Sequence, residues 1–220
     1  TLYLNGGYVD LDGSNLSDDF VVSHTYSAAE KYLFNTSATP TDLSSLLFEE
    51  SSAILLDDVE DNYSSVLSIA ADKTVSKYGN GTFQITNDLS GADGKLQIKS
   101  GLLQLVGANN AQGSAAYSLS EPADDTNIKT YLQCDDGACQ NTSYRQQLDQ
   151  GFGFIEIESG SALDLNGRDL AQAVWIDGVG ISNSGALYNS STTLASVNAP
   201  VLLGNADATI ASGNHTINLG

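Results

Sequence analysis

Asp10-Leu11-Asp12-Gly13-Ser14-Asn15 gathers several oxygen-bearing side chains on one short stretch. Hard cations such as calcium bind clusters of oxygens held on a tight turn. Asp10, Asp12 and Asn15 are therefore candidate calcium ligands. The spacing departs from a helix-loop-helix calcium loop, because the Gly comes early and no bidentate Glu follows in place. An acidic β-turn is the plainer reading of the same residues. Cys134 and Cys139 are the two cysteines, in the stretch CDDGAC. A local disulfide closing a tight loop fits an oxidising compartment. The two acids between the thiols oppose a reactive thiolate, and no His lies near enough to complete a metal site.

Carboxylates recur at Glu156, Glu158, Asp164, Asp169 and Asp177. Two carboxylates facing one groove are what glycoside hydrolysis needs. Lys99 or Arg168 could serve as the base of a β-elimination. His24 and His215 lie far apart in sequence, no G-x-S-x-G surrounds any Ser, and the Gly-rich stretches lack the Lys of a phosphate loop. Seven Asn-x-Ser/Thr sequons stand at Asn15, Asn35, Asn62, Asn80, Asn141, Asn189 and Asn214. In a eukaryotic secretory setting they predict surface glycans. Trp175, the single Trp, is either an exposed sugar platform or a cap on the core, and the core is favoured.

The elements that must position these residues are short strands. The segments 79–107, 152–178 and 185–220 repeat one phrase, four or five residues of period-two alternation closed by Gly, Asn or Asp. Units of this kind cannot bury a face alone and must stack. Residues 1–23 and 51–107 continue the phrase, with Leu2, Leu4, Val9 and Leu11, then Leu67, Ile69, Val75, Phe83 and Ile85, as inward positions. Two stretches break it. Around 25–50, Thr39-Pro40-Thr41-Asp42 before LSSLLFEE predicts a helix start, so an insertion of short helices is expected. Around 108–151 a loop excursion is expected, with one hairpin pairing 115–119 with 129–133.

The expected fold is all-β: one domain over 1–220, a right-handed parallel β-helix with two irregular insertions, one of them short-helical. A β-sandwich is the alternative, since it too has short strands at regular spacing. Few aromatics (8%) and many outward polar residues favour the solenoid. A net charge of -19 removes the basic footprint that nucleic acid requires and disfavours an anionic membrane surface. No run is long and apolar enough for membrane insertion by this segment. The chain has no Met, opens at Thr1, and carries the repeating pattern up to Gly220, so a longer chain or assembly is expected.

The phrase GNGTFQITNDLSGADGKLQIKSGLLQLVGAN resembles the autotransporter-associated β-strand repeat, with its Gly-x-Gly-x-Leu-x-Leu units and Gly-Ala-Asn turn. GVGISNSGALYNSSTTLASVNAPVLLGNADATI is similar to a second phrase of the same secreted passengers. Together these cover about 79–110 and 155–220. The resemblance implies a parallel β-helix displayed or released at the cell surface, acting as an adhesin, self-associating factor or stalk. It carries no catalytic residue. The expected function is an extracellular structural or adhesive solenoid without catalysis, binding itself or a glycan or protein partner. It needs no cofactor, with calcium as an optional addition. A polysaccharide-active β-helix hydrolase or lyase is the alternative.

Overall fold

The computed structural model describes residues 1–27, 29–30, 32–34, 41–56, 63–86, 89, 92–107, 153–204, 207–212 and 215–219. The 108–151 excursion, its hairpin, and Cys134 and Cys139 lie outside them. From the strand Thr41–Phe48 to the strand Leu187–Tyr188, successive strands alternate between two long sheets. The first sheet stacks nine strands: β1 (Leu2–Leu4), β3 (Leu16–Val22), β5 (Thr41–Phe48), β7 (Tyr63–Ile69), β9 (Thr82–Ile85), β11 (Gly101–Leu105), β13 (Ser161–Asp164), β15 (Leu187–Tyr188) and β18 (Ile210–Ala211). The second stacks six: β6 (Ser52–Leu55), β8 (Thr74–Tyr78), β10 (Lys95–Ile98), β12 (Phe154–Ile157), β14 (Ala173–Ile176) and β17 (Val201–Leu203). Two short pairs lie between them, β2 (Val9–Asp10) with β4 (Leu33–Phe34) and β16 (Ala195–Val197) with β19 (Ile217–Leu219).

Every strand pair among the described residues is parallel. Antiparallel sandwich pairing is not seen. The architecture is all-β with long parallel sheets, consistent with a β-helix. One 3-10 turn, Ile181–Asn183, is the helical element among the described residues, and none of their helices is long and apolar enough to cross a membrane.

Like side chains stack in columns. In the first sheet, Phe83, Leu103, Leu163, Leu187 and Ile210 are successive register partners. In the second, Val75, Leu96, Ile155, Val174 and Val201 form another. Because side chains alternate faces along a strand, parallel in-register pairing brings the apolar half of each phrase into one continuous core. The expected inward residues Leu67, Ile69, Val75, Phe83 and Ile85 are all fully buried there. Leu4 and Leu11 are buried too, and Val9 partly so. Leu2 is 42% exposed, because β1 is the edge of its sheet and has a neighbour on one side only.

The helical insertion expected over 25–50 is corrected. LSSLLF belongs to β5, in the middle of the first sheet's run. Leu43, Leu46 and Phe48 are buried, and Leu46 and Phe48 stack on Phe20 and Val22 of β3. Two register shifts, between Leu16 and Asp19 and between Asp42 and Ser45, hide the alternation from a period-two reading. Each inserts an extra residue on one strand. That, with a Leu-rich composition, made a strand resemble a helix. Tertiary pairing on both sides overrides the local preference.

Candidate functional site

Regular stacking is interrupted between β1 and β2 and between β3 and β4. There a cavity of about 350 Å³ is lined by Gly6, Gly7, Tyr8, His24, Tyr26, Glu30 and Tyr32. Two elements build it. The first is the turn through Asn5-Gly6-Gly7, where Gly6 takes the left-handed conformation (φ +85°) that glycine adopts without a Cβ penalty. The second is the longer connection 23–32, which docks at both ends. Tyr26 enters the second sheet's column: its N–H donates to Ser52 Oγ (3.2 Å) and its carbonyl accepts from Ala53 N–H (3.0 Å). The Tyr32 carbonyl accepts from Val9 N–H (2.7 Å).

The rings then lock one another. Tyr26 and Tyr32 stack with centroids 3.8 Å apart and planes 18° apart, and His24 sits edge-on to Tyr26 at 5.0 Å. The Tyr26 hydroxyl receives the N–H groups of Gly6 and Gly7 (3.1 Å each) and donates to the Gly7 carbonyl (2.9 Å). Burial pushes the Tyr32 hydroxyl far above the usual phenol pKa, with its bond to Ser52 acting the other way. Tyr8 stands at the rim, 76% exposed. Glu30 accepts Ser27 N–H (2.7 Å), and that bond, the Ser27 hydroxyl and the nearby His24 hold its carboxyl pKa down despite some desolvation. The result is a half-open cavity with fixed aromatic walls, an ionised carboxylate and an imidazole.

The sequence did not single out Tyr8, Tyr26, Glu30 or Tyr32. A signal was present: four of the ten tyrosines fall within the first 32 residues, at Tyr3, Tyr8, Tyr26 and Tyr32. Lys77 was also missed. Its register neighbours are Ile54 and Ile98, in the column that continues through Ile157, Ile176 and Leu203. It is fully buried, and its Nζ donates to the carbonyls of Gly79 (3.0 Å) and Ser100 (2.9 Å). Burial lowers its pKa to about 8.

The expected calcium ligands are apart in role. Asp10 Oδ1 accepts the N–H of Asp12 (3.1 Å), whose φ of 44° marks a turn, and Asn15 Oδ1 accepts the N–H of Asp42 on β5 (2.9 Å). Among the described residues no group of three His, Cys, Asp or Glu is placed to hold a metal.

The five acids of the regular region, Glu156 and Asp164 on strands and Glu158, Asp169 and Asp177 in the connections, each meet a donor. Glu156 is buried, takes the amide of Gln97 (2.6 Å), which in turn accepts from Ser76 (2.8 Å), and has Lys95 at 3.6 Å. Glu158 pairs with Lys99. Asp164, also buried, accepts from Asn166 N–H, Ser190 N–H, Ser190 Oγ and Gln104 Nε2, and Gln104 accepts from Gln84. Asp169 takes Ser196 N–H, and Asp177 takes the Trp175 indole N–H (2.9 Å). Glu156, Glu158, Asp164 and Asp169 tie neighbouring levels of the stack together, while the Asp177 bond to Trp175 is local. Trp175 is 7% exposed but stands on the face opposite the core residues Val174 and Ile176, in register with Glu156 and Leu202.

Of the sequons, Asn35, Asn62, Asn141 and Asn214 lie outside the described residues. Asn15 is exposed and Asn80 sits in the turn after β8. Asn189 is 2% exposed, and its amide nitrogen donates to the carbonyls of Thr193 (2.8 Å) and Thr216 (3.0 Å). Its oxygen accepts from Gly167 N–H (2.8 Å) and Ser191 N–H (3.2 Å). A glycan would have to occupy that same nitrogen, so in the folded chain Asn189 is a structural amide. Compared with known proteins, the chain matches no family model, no curated protein and no solved structure.

Proposed function

We propose that the chain is an extracellular or cell-surface β-solenoid, a right-handed parallel β-helix that works as a non-catalytic scaffold for surface binding or self-association. The carrying observation is the pair of unbroken parallel stacks, nine and six strands deep. Handedness follows from chain chirality, since parallel crossovers are right-handed in about 98% of cases. Alternating the chain between two parallel sheets packs the space between them with apolar side chains. It produces a long wall whose outward polar side chains form hydrogen-bonded ladders. The acids that a polysaccharide-active enzyme would use are engaged in those ladders, which favours the scaffold over the hydrolase or lyase. The autotransporter-like phrasing of 79–110 and 155–220 supports the same reading and the same compartment.

The test is assembly and adhesion together. Strands stacked about 4.8 Å apart give the nine-stranded sheet a height of about 40 Å. Small-angle scattering on the purified chain should report a rod-like body with at least that length. Negative staining and sedimentation should show either concentration-dependent assembly or retention on glycan- or protein-coated surfaces. A compact sphere that neither assembles nor adheres would overturn the proposal. Release of product from a panel of neutral and acidic polysaccharides would replace it with the enzyme.

A further inference from the structure

We propose that the cavity between Tyr8, Tyr26, Tyr32 and Glu30 binds one neutral sugar ring at the end of a glycan, an assignment that rests on the adhesive reading above. Four observations lead there. First, an exposed ring stands at a fixed wall. Tyr8 is 76% exposed at the rim and offers a ring face, while the buried Tyr26 and Tyr32, stacked on each other and bonded through their hydroxyls, hold the wall in place before a ligand arrives. A sugar presents the matching surface, the C–H face of its ring.

Second, the polar groups are few and convergent. Glu30 keeps one carboxylate oxygen engaged with Ser27 N–H, and the carboxylate and the His24 imidazole face the same space. An acceptor beside a ring wall suits sugar hydroxyls. Third, the size is right for one ring. The volume, about 350 Å³, is at the small end of the range of about 300–1,000 Å³ typical of ligand pockets. Fourth, the floor is open. A Cβ at Gly6 or Gly7 would meet no heavy atom within 4 Å, so ligand can approach the backbone of that turn.

Competing ligand classes fit less well. Acidic sugars and phosphorylated groups meet a chain of net charge -19 and a carboxylate at the site. A quaternary ammonium needs ring faces turned toward one point. Here the two buried rings turn their faces on each other, and His24 already acts electrostatically on Glu30.

Saturation-transfer NMR on the whole chain tests this, with methyl glycosides of glucose, galactose, mannose and N-acetylglucosamine, and with glucuronate and choline as alternatives. Three variants accompany it. Tyr8→Ala removes the rim ring. Gly7→Leu fills the floor at a position outside the left-handed region, so the fold should keep its unfolding midpoint. Glu30→Gln removes the charge and keeps the shape.

The expected result is transfer to the ring protons of at least one neutral glycoside. Tyr8→Ala and Gly7→Leu should weaken it about tenfold with unchanged midpoints, the size expected for an anchoring aromatic. No transfer to any neutral sugar, transfer unaffected by both variants, or binding of choline or glucuronate alone would each overturn the assignment. Adhesion of wild type and Tyr8→Ala in equal measure would leave the scaffold standing and remove the cavity's role. Sugar transfer without adhesion or assembly would do the reverse.

Discussion

Residues 1–56 and residues 153–204 contribute to the same two sheets and are built differently. In the second region β12, β13 and β14 are buried at every position, and their registers run without a shift. Its polar groups staple neighbouring strands: Asp164 accepts four hydrogen bonds and Asn189 joins turns on three successive levels. In the first region β3 and β5 carry register shifts, Tyr3 and Tyr8 are 65% and 76% exposed, and a cavity opens between two connections. One region uses its side chains to hold the stack. The other leaves exposed rings and a carboxylate around a cavity.

The comparison breaks most visibly at Asn189. Replacing it with Ala leaves two N–H groups and two carbonyls without their partner in a closely stacked turn. There is little room to adjust, since a Cβ at Gly167 (φ +71°) would already come within 2.7 Å of Ser191 Oγ. An unsatisfied buried group costs about 1–3 kcal/mol, and here that group is the Gly167 N–H, whereas the bonds to Ser191, Thr193 and Thr216 are part-buried and water can replace much of their loss. Asn189→Ala should therefore lose about 2–3 kcal/mol in urea unfolding, while Gly7→Leu in the first region should leave the midpoint in place. Equal sensitivity at the two sites would erase the distinction between staple and open surface.

Lys77 sharpens the comparison with a pH measurement. It is the charged residue in an otherwise aliphatic column, and its folded pKa of about 8 lies below the ordinary lysine value of 10.5. The unfolded chain therefore binds more protons between these values, and stability rises with pH there. Below pH 8 the contribution is absent, because both states are protonated and the buried ammonium is a liability. From pH 8 to 10 the gain should be about 2 kcal/mol. Above pH 10 the raised pKa values of Tyr32 and Tyr188, the latter about 12 through burial and then Asp164, act in the opposite direction. Lys77→Met should flatten the rise between pH 8 and 10. A wild-type profile already flat in that window would show that the ammonium is well solvated.

Part of the stack was legible in the sequence, because period-two alternation closed by Gly marks an inward face that must be covered. Leu67, Ile69, Val75, Phe83 and Ile85 were readable as inward from that alternation, and all five are buried. The strand β5 was not legible, since an extra residue on each side of its pairing moves Leu46 and Phe48 off the phase of Leu43. The cavity was hidden for another reason. Tyr8, Tyr26 and Tyr32 meet only because β2 and β4 pair and the connection after β3 reaches the second sheet at Ser52 and Ala53. Nothing local in the chain encodes that meeting. Period two from Val75 already puts Lys77 on the inward side of β8, and the register then places it between Ile54 and Ile98.

A smaller effect tests how the first region holds its turn. Tyr26→Phe keeps the stacked ring and removes the hydroxyl that accepts from Gly6 and Gly7. The loss should be about 1 kcal/mol, since these groups are half-exposed and water can replace the bond. Hydrogen exchange should quicken at Gly6 and Gly7 and stay unchanged at Gly167. Acceleration at both turns would mean that the two regions open as one unit.

The smallest expected effect concerns the acidic turn at Asp10–Asn15. A calcium role there requires carboxylate oxygens free to converge. Asp10 Oδ1 is instead engaged with the Asp12 amide, and Asn15 reaches away to the Asp42 amide on β5. Asn15 thereby joins β5 to the residues just before β3, a link that needs no ion. Chelator should leave the unfolding midpoint where it was, and added calcium should not raise it. A metal that bound only the folded chain would raise stability by RT ln(1 + [L]/Kd), about 2.7 kcal/mol at a hundredfold excess over Kd, which an unfolding curve would detect easily. A midpoint that climbs with calcium and falls with chelator would turn this turn from a hydrogen-bonded link into a ligand site. It would then give the first region a second specific function beside the cavity.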